Sequence, residues 1–160
     1  MFILMLMMFF IALNGVDCPL NFYGPTMFEE FGFEIAPTLL SCLIPAGQLF
    51  GYIFAPAIMS LISKKRQYLC ACFLMIIASL SLSFAYLARY SNYSQYFPVS
   101  LPQVCLAGGS LLLTFGYGAG FGAVSYAMPG ELLSPSDKSI GISIAQCVRM
   151  IATTVIIKVS

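Results

Sequence analysis

The 160-residue sequence has no histidine and no tryptophan, and only 8% of its residues are charged. Without histidine, the chain lacks the commonest metal ligand and the commonest general base. A soluble domain carries about 25% charged residues, so the low charge argues against a water-soluble globule. The net charge of +1 offers little attraction for nucleic acid. We therefore expect no enzyme, no metal or other cofactor, and no nucleic-acid partner.

Disulfide chemistry is also not indicated, although six cysteines are present. A disulfide scaffold places its cysteines in the polar loops of a short secreted chain, whereas these lie in or beside apolar runs. Cys70 and Cys72 are separated by one residue and do not form a C-x-x-C motif. We interpret all six as small core residues.

Long apolar runs are the main feature that is present, since 60% of the residues are hydrophobic. A membrane-spanning helix needs about 20 predominantly apolar residues. The runs predict an all-α membrane protein in a lipid bilayer, with five transmembrane helices at about 2–24, 37–62, 68–88, 104–132 and 140–157.

Polar side chains interrupt the first and last of these runs. Asn14, Asp17 and Asn21 follow the spacing i, i+3, i+7, which places them on one helix face, and Arg149 belongs to a similar stripe. A charge inside the membrane is costly unless it faces protein or water, so we expect these faces to point into the bundle. Asp17 and Arg149 are predicted to form a buried ion pair. Alternatively, Arg149 points toward the headgroups or toward a missing half of the bundle.

The basic residues at 64–66 predict the orientation, because lysine and arginine accumulate in cytoplasmic loops. Two crossings later, the loop at 131–139 should lie on the same side. The loop at 89–101 should then lie outside. This loop contains the N-glycosylation sequon Asn92-Tyr93-Ser94, so Asn92 is a candidate glycosylation site.

The stretch 116–141 is rich in glycine at first and turns polar at Glu131. Its G-x-x-x-G spacings permit close helix contacts. The stretch resembles the tenth helix and following loop of the sugar porter family, within the major facilitator superfamily. That family has a tryptophan in a glycine/proline helix, followed by E-x-F-P-x-x-x-R. Tyr126 corresponds to the tryptophan, Glu131 to the acid and Lys138 to the arginine.

Two further stretches are similar to the same family. Tyr23, Pro25 and Phe28 match the Y-Y-x-P-x-I-F ending of its seventh helix, and Lys65 and Arg66 match the basic pair of its D-x-x-G-R-R loop. The resemblance assigns the five runs to helices seven to eleven of twelve. It thus implies a fragment, the C-terminal half bundle without its last helix.

The resemblance implies transport of a sugar or polyol by alternating access against a missing N-terminal half, in the plasma membrane. The substrate-binding residues that it implies are Asn14, Asp17, Asn21, Gln48 and Tyr126. The cytoplasmic gate that it implies consists of Lys65, Arg66, Glu131 and Lys138. Gln48 could instead bond a neighbouring helix.

Two other functions stay open at this point. The first is a major-facilitator transporter of a non-sugar solute, such as an organic ion, with Asp17 or Arg149 as the counter-charge. The second is a membrane interaction or receptor protein that does not transport.

Overall fold

The computed structural model describes residues 8–9, 11, 16, 19–33, 36–90, 100–128 and 138–159. Every regular element in these ranges is helical, and none of them contains a β-strand. The elements are α1 (Pro19–Glu30), α2 (Pro37–Ser41), α3 (Leu43–Leu61), α4 (Lys64–Tyr90), α5 (Ser100–Gly116), a π-helical segment (Tyr117–Gly122), α6 (Ala123–Ala127) and α7 (Lys138–Val159).

Three helical stretches are long and apolar enough to cross a membrane. They are Pro37–Leu61, Lys64–Tyr90 and Leu101–Ala127, with 25, 27 and 27 residues, and Ser139–Val155 is a shorter apolar helix. At about 1.5 Å per residue, each of the three exceeds the hydrocarbon thickness of a bilayer. The expected all-α, multi-pass membrane fold is thereby confirmed. Most of the first predicted helix, 2–24, lies outside the described residues, so the count of five stays a prediction.

Several helices extend beyond the apolar runs that predict them. α1 continues through Glu29 and Glu30, and α4 already begins at Lys64. Polar residues at the ends of a span can continue the helix into the headgroup region, where water and headgroups accept their charges. α1 is followed by Gly32, whose φ of 65° is the left-handed conformation that commonly ends a helix.

α4 and α5 run antiparallel. Gly109, early in α5, lies against Ser81 and Leu82, whereas Gly116, at its end, lies against Leu74 and Met75. Later residues of α5 therefore meet earlier residues of α4. The start of α4 and the end of α6 consequently lie at the same end of the bundle.

α3 runs parallel to α5. Gly47 lies against Leu111 and Thr114, and Gly51, one turn later, lies against Phe115 and Gly118. The end of α3 thus joins the start of α4 at the shared end of the bundle. We call this the α3/α4 end, formed by the end of α3, the start of α4 and the end of α6.

The opposite end is held by contacts to the end of α1. The side-chain amide of Gln103 donates to the carbonyl oxygens of Phe31 and Gly32, at 3.1 and 3.2 Å. The guanidinium of Arg89 lies 5.2 Å from the centre of the Phe31 ring, a cation–π distance. The Tyr90 hydroxyl donates to the Glu30 carboxylate at 3.5 Å. α1 therefore ends beside the end of α4 and the start of α5.

Candidate functional site

The π-helical segment Tyr117–Gly122 lies at the centre of the bundle. Its sequence, YGAGFG, contains three glycines, and all six residues are buried. The segment joins α5 to α6 within one continuous membrane span. Single π turns inside α-helices are rare and occur frequently at functional sites. The segment is therefore a candidate functional site.

α3 crosses this segment in direct backbone contact. A Cβ atom added at Gly51 would lie 2.6 Å from the Phe115 carbonyl oxygen and 2.7 Å from the Ala119 nitrogen. A Cβ atom added at Gly118 would lie 2.5 Å from the carbonyl oxygen of Gln48. Only glycine fits at these two positions without a shift of backbone. The glycines thus bring the backbones of two membrane helices together, as small residues do in membrane bundles.

Gln67 reaches this junction from α4. It is only 3% exposed, and its Nε2 donates to the carbonyl oxygens of Ala119 at 2.6 Å and Ala55 at 3.4 Å. Because both neighbours are acceptors, the amide nitrogen and not the oxygen must face them. The Oε1 atom is buried and has no hydrogen-bond partner among the described residues. Gln67 therefore connects α3, α4 and the π-helical segment through one amide.

Sequence reasoning missed Gln67, because it directly follows the basic residues 64–66 and was grouped with their loop. The repeat of buried residues along α4 does indicate that Gln67 lies inside the bundle. Gln67, Ala71, Met75 and Ala78 follow the spacing i, i+4, i+8, i+11 and form the buried face of α4. Extending that repeat by one turn toward the N-terminus would have placed the amide inside the bundle.

Gln48 lies on the face of α3 that meets the π-helical segment, and its side chain is half-buried. Tyr52 lies one turn later on the same face, and its hydroxyl would be 3.0 Å from a Cβ atom added at Gly122. Tyr52 was not predicted. Tyr52 therefore brings a phenol to the side of the π-helical segment, and Gln48 meets the segment through its backbone carbonyl.

Tyr126 and Arg149 are brought together by the structure. The guanidinium carbon of Arg149 lies 5.7 Å from the centre of the Tyr126 ring, within the range of a cation–π contact. The Nε of Arg149 donates to Oε1 of Gln146 at 3.1 Å. Arg149 is half-buried, and Tyr126 is 38% exposed. A cation is therefore held in a fixed position between α6 and α7.

The remaining predicted residues fall into two groups. Asn21 is exposed on α1, and its side-chain nitrogen donates to the Val16 carbonyl oxygen at 3.2 Å. Lys65 and Arg66 are exposed in the first turn of α4, and Lys138 is the first residue of α7. The others lie outside the described residues: Asn14, Asp17, Asn92 and Glu131. The proposed ion pair, the gate and the glycosylation site therefore stay predictions.

The apolar spans and their buried glycine contacts define a multi-pass helical membrane protein. A family model described as sugar (and other) transporter matches residues 1–159, so the chain belongs to this transporter family. No curated protein and no solved structure gives a significant match to the chain. The resemblance in the sequence to sugar porters and the major facilitator superfamily is thereby confirmed at the level of the family.

Proposed function

We propose that the chain forms the C-terminal part of a carrier that moves a sugar or polyol by alternating access, in the plasma membrane. Its helices would correspond to helices seven to eleven of the twelve in the family. A complementary N-terminal half would supply the other wall of the cavity. The match of the family model over residues 1–159 and the matching motifs around Tyr23, Lys65 and Glu131 support this assignment.

The single observation that carries the proposal is the π-helical segment. Transporters place substrate sites where membrane helices are broken or distorted, because backbone polar groups then become available to a solute. Beside this segment lie Gln48 and Tyr52. A sugar presents hydroxyl groups and an apolar ring face, so an amide and aromatic rings are suitable partners. We propose that Gln48, Tyr126 and the polar residues of the first helix, Asn14, Asp17 and Asn21, contact the solute.

The gate is proposed at the α3/α4 end. Lys65 and Arg66 are exposed there, and α6 ends at the same end of the bundle, just before Glu131. Lys138 opens the following helix. We propose that Glu131 pairs with these cations in one state and separates from them in the other. This change would close and open the cytoplasmic side.

A second candidate, an organic anion as the solute, is favoured by one specific observation. Arg149 is fixed by Tyr126 and Gln146 in a half-buried position within an apolar helix. A guanidinium presents its donors in a planar fork that matches the oxygens of a carboxylate or a phosphate. In this case Arg149 would be the counter-charge of the solute.

Uptake measurements with a matched pair of variants test the proposal. The chain is expressed with a complementary six-helix half, and uptake of labelled hexoses, polyols and organic anions into vesicles is compared. We expect saturable uptake of a sugar or polyol that is strongly reduced by Gln48→Ala. Leu49→Ala, an exposed position next to Gln48 on α3, serves as the control and should leave uptake unchanged.

The other outcomes decide between the alternatives. Uptake of anions alone, lost with Arg149→Gln, would favour the second candidate. No uptake of any solute by a correctly folded pair of halves would favour a non-transporting interaction or receptor protein. Either result would contradict sugar transport.

A further inference from the structure

A cavity of about 450 Å³ opens at the α3/α4 end, between the first turns of α4 and the end of α6. It lies beside the π-helical segment, since the ring of Tyr68 in its wall stacks on Phe121 with 5.1 Å between the ring centres. Its lining residues are Lys64, Lys65, Tyr68, Leu69, Val124 and Met128. One of these residues, Lys65, is also a proposed gate residue, whereas none of them is a proposed contact of the solute.

The lining has a basic part and an apolar part. Lys64 and Lys65 form the basic part, and Arg66 follows them in a first turn of α4 that contains no acid. Leu69, Val124 and Met128 form the apolar part. A cavity with apolar walls and two ammonium groups suits a ligand that combines a negative charge with a hydrocarbon chain. A sugar has neither.

The position of the cavity relative to the membrane agrees with this chemistry. The membrane span Lys64–Tyr90 begins at the first of the two lysines. Lysine side chains at the start of a span extend toward the polar interface, so we expect both ammonium groups at the level of the headgroups. Leu69 is half-exposed and lies more than one turn further into the span, at the depth of the acyl chains.

We propose that this cavity binds an anionic phospholipid of the adjacent leaflet. The lysines contact the phosphate of its headgroup, and one acyl chain lies along Leu69 and Met128. Basic pockets between membrane helices bind anionic headgroups in this way, and each lysine near the surface strengthens the attraction. The inference holds whichever solute is carried.

The absence of tryptophan from the whole chain allows a direct test. Leu69→Trp places a single fluorescent reporter in the cavity wall. The full chain is reconstituted in phosphatidylcholine bilayers, and dibrominated phosphatidylglycerol or dibrominated phosphatidylcholine is added as quencher. We expect the anionic quencher to act at about 25-fold lower mole fraction, with about a fivefold contribution from each lysine. Leu80→Trp, exposed on the same helix outside the cavity, is the control reporter and should be quenched equally by both lipids.

Lysine variants identify the contact. In the Leu69→Trp background, Lys64→Gln and Lys65→Gln should each lower the preference for the anionic lipid by about fivefold. Lys64→Arg with Lys65→Arg should retain it, and Lys158→Gln, at the end of α7, should not change it. Circular dichroism confirms that each variant keeps its helices. The proposal is overturned by equal quenching of Leu69→Trp by both lipids, by a preference that survives both glutamine substitutions, or by displacement of the lipid with soluble glycerol phosphate.

Discussion

At the scale of single residues, Gln67 shows how one buried amide can connect three membrane helices. Its nitrogen donates to two backbone carbonyls, whereas its buried oxygen has no hydrogen-bond partner among the described residues. An unpaired buried acceptor costs about 1–3 kcal/mol, and each hydrogen bond returns about 1 kcal/mol. The net contribution of the amide to stability is therefore small. Its main effect is geometric, because it fixes the Ala119 carbonyl within the π-helical segment.

Two substitutions of Gln67 test whether the gain from its hydrogen bonds is offset by the cost of its unpaired oxygen. Gln67→Met keeps the shape and removes both the donor and the unpaired oxygen, so we expect a loss of stability of at most about 1 kcal/mol. Gln67→Glu replaces the donor with an acceptor facing two carbonyl oxygens in a buried site. We expect it to cost several times more. Thermal unfolding in detergent measures both changes.

Gln103 provides a matched control for the glutamate substitution. Its side-chain nitrogen also donates to two carbonyl oxygens, but it lies half-exposed at the opposite end of the bundle. Water can solvate a carboxylate there, so Gln103→Glu should be tolerated far better. Equal destabilisation at both positions would show that burial of Gln67 is not the cause.

The contact between Arg149 and Tyr126 makes a second prediction at this scale. Arg149→Gln and Tyr126→Leu each remove the cation–π contact, so their effects on stability should not add. We expect a coupling energy of about 0.5–2 kcal/mol, measured by a double-mutant cycle of unfolding midpoints. Tyr126→Phe keeps the aromatic face and should preserve most of the coupling.

A parallel cycle examines the predicted ion pair. Asp17→Asn with Arg149→Gln should also be coupled if the carboxylate lies beside the guanidinium, and the double variant should recover part of the single losses. Strict additivity in this cycle would exclude the ion pair. Tyr126 and Gln146 would still contact the arginine in that case.

The sequence allowed some of these residues to be predicted and not others, for physical reasons. Charges and amides within apolar runs, such as Arg149 and Gln48, stand out because burying them is costly. Gln67 did not, because it adjoins a basic segment whose charges suggest a loop. The stacking of Arg149 on Tyr126 joins residues 23 positions apart. It depends on how α6 packs against α7, and a local sequence pattern does not specify that packing.

At the scale of helices, glycine determines how closely α3 approaches the π-helical segment. Gly51→Ala would push a methyl group against the backbone atoms of Phe115 and Ala119. Backbone cannot move aside as a flexible side chain can, and overpacking of this kind costs about 1–3 kcal/mol. We therefore expect a clear fall in the unfolding temperature in detergent.

Gly108 in α5 is the matched control for this substitution. No atom of the described residues lies within 4 Å of the position that its Cβ would occupy. Gly108→Ala should stabilise the chain slightly, because alanine has the higher helix propensity by about 1 kcal/mol. If both alanines had the same effect, close packing at Gly51 would be refuted.

The π turn itself is the element that sequence could least predict. The glycines at 116, 118, 120 and 122 are compatible with an ordinary α-helix that uses them for close packing. The change to π geometry accompanies contacts from two other helices, with Gly51 on one side and Gln67 on another. Since these partners are distant in sequence, the residue pattern within the segment does not predict their contacts.

At the scale of the whole molecule, the directions of the helices place charged residues at defined ends. α3 and α5 run parallel and α4 runs antiparallel to them, so residues 64–66 and the end of α6 share the α3/α4 end. Glu30, Arg89 and Tyr90 lie at the other end. Three consecutive cations at one end predict that it faces the cytoplasm.

Cysteine labelling tests this orientation. In a chain whose six native cysteines have been replaced, Ser63→Cys introduces a thiol at an exposed position just before α4. We expect an impermeant maleimide to leave it unlabelled in intact cells and to label it once the membrane is permeabilised. Ser63 directly precedes the basic residues 64–66, and basic residues of this kind accumulate on the cytoplasmic side, which the reagent cannot reach in intact cells.

Tyr90→Cys is the matched control, since Tyr90 is exposed at the other end of the same helix. A helix of 27 residues is about 40 Å long and cannot have both ends on one side of the membrane if it spans it. We therefore expect Tyr90→Cys to be labelled from outside in intact cells. Labelling of Ser63→Cys alone would show that the orientation is inverted. Labelling of both would mean that α4 does not cross the bilayer, and the transporter proposal would lose the helix that forms one wall of the π-helical junction.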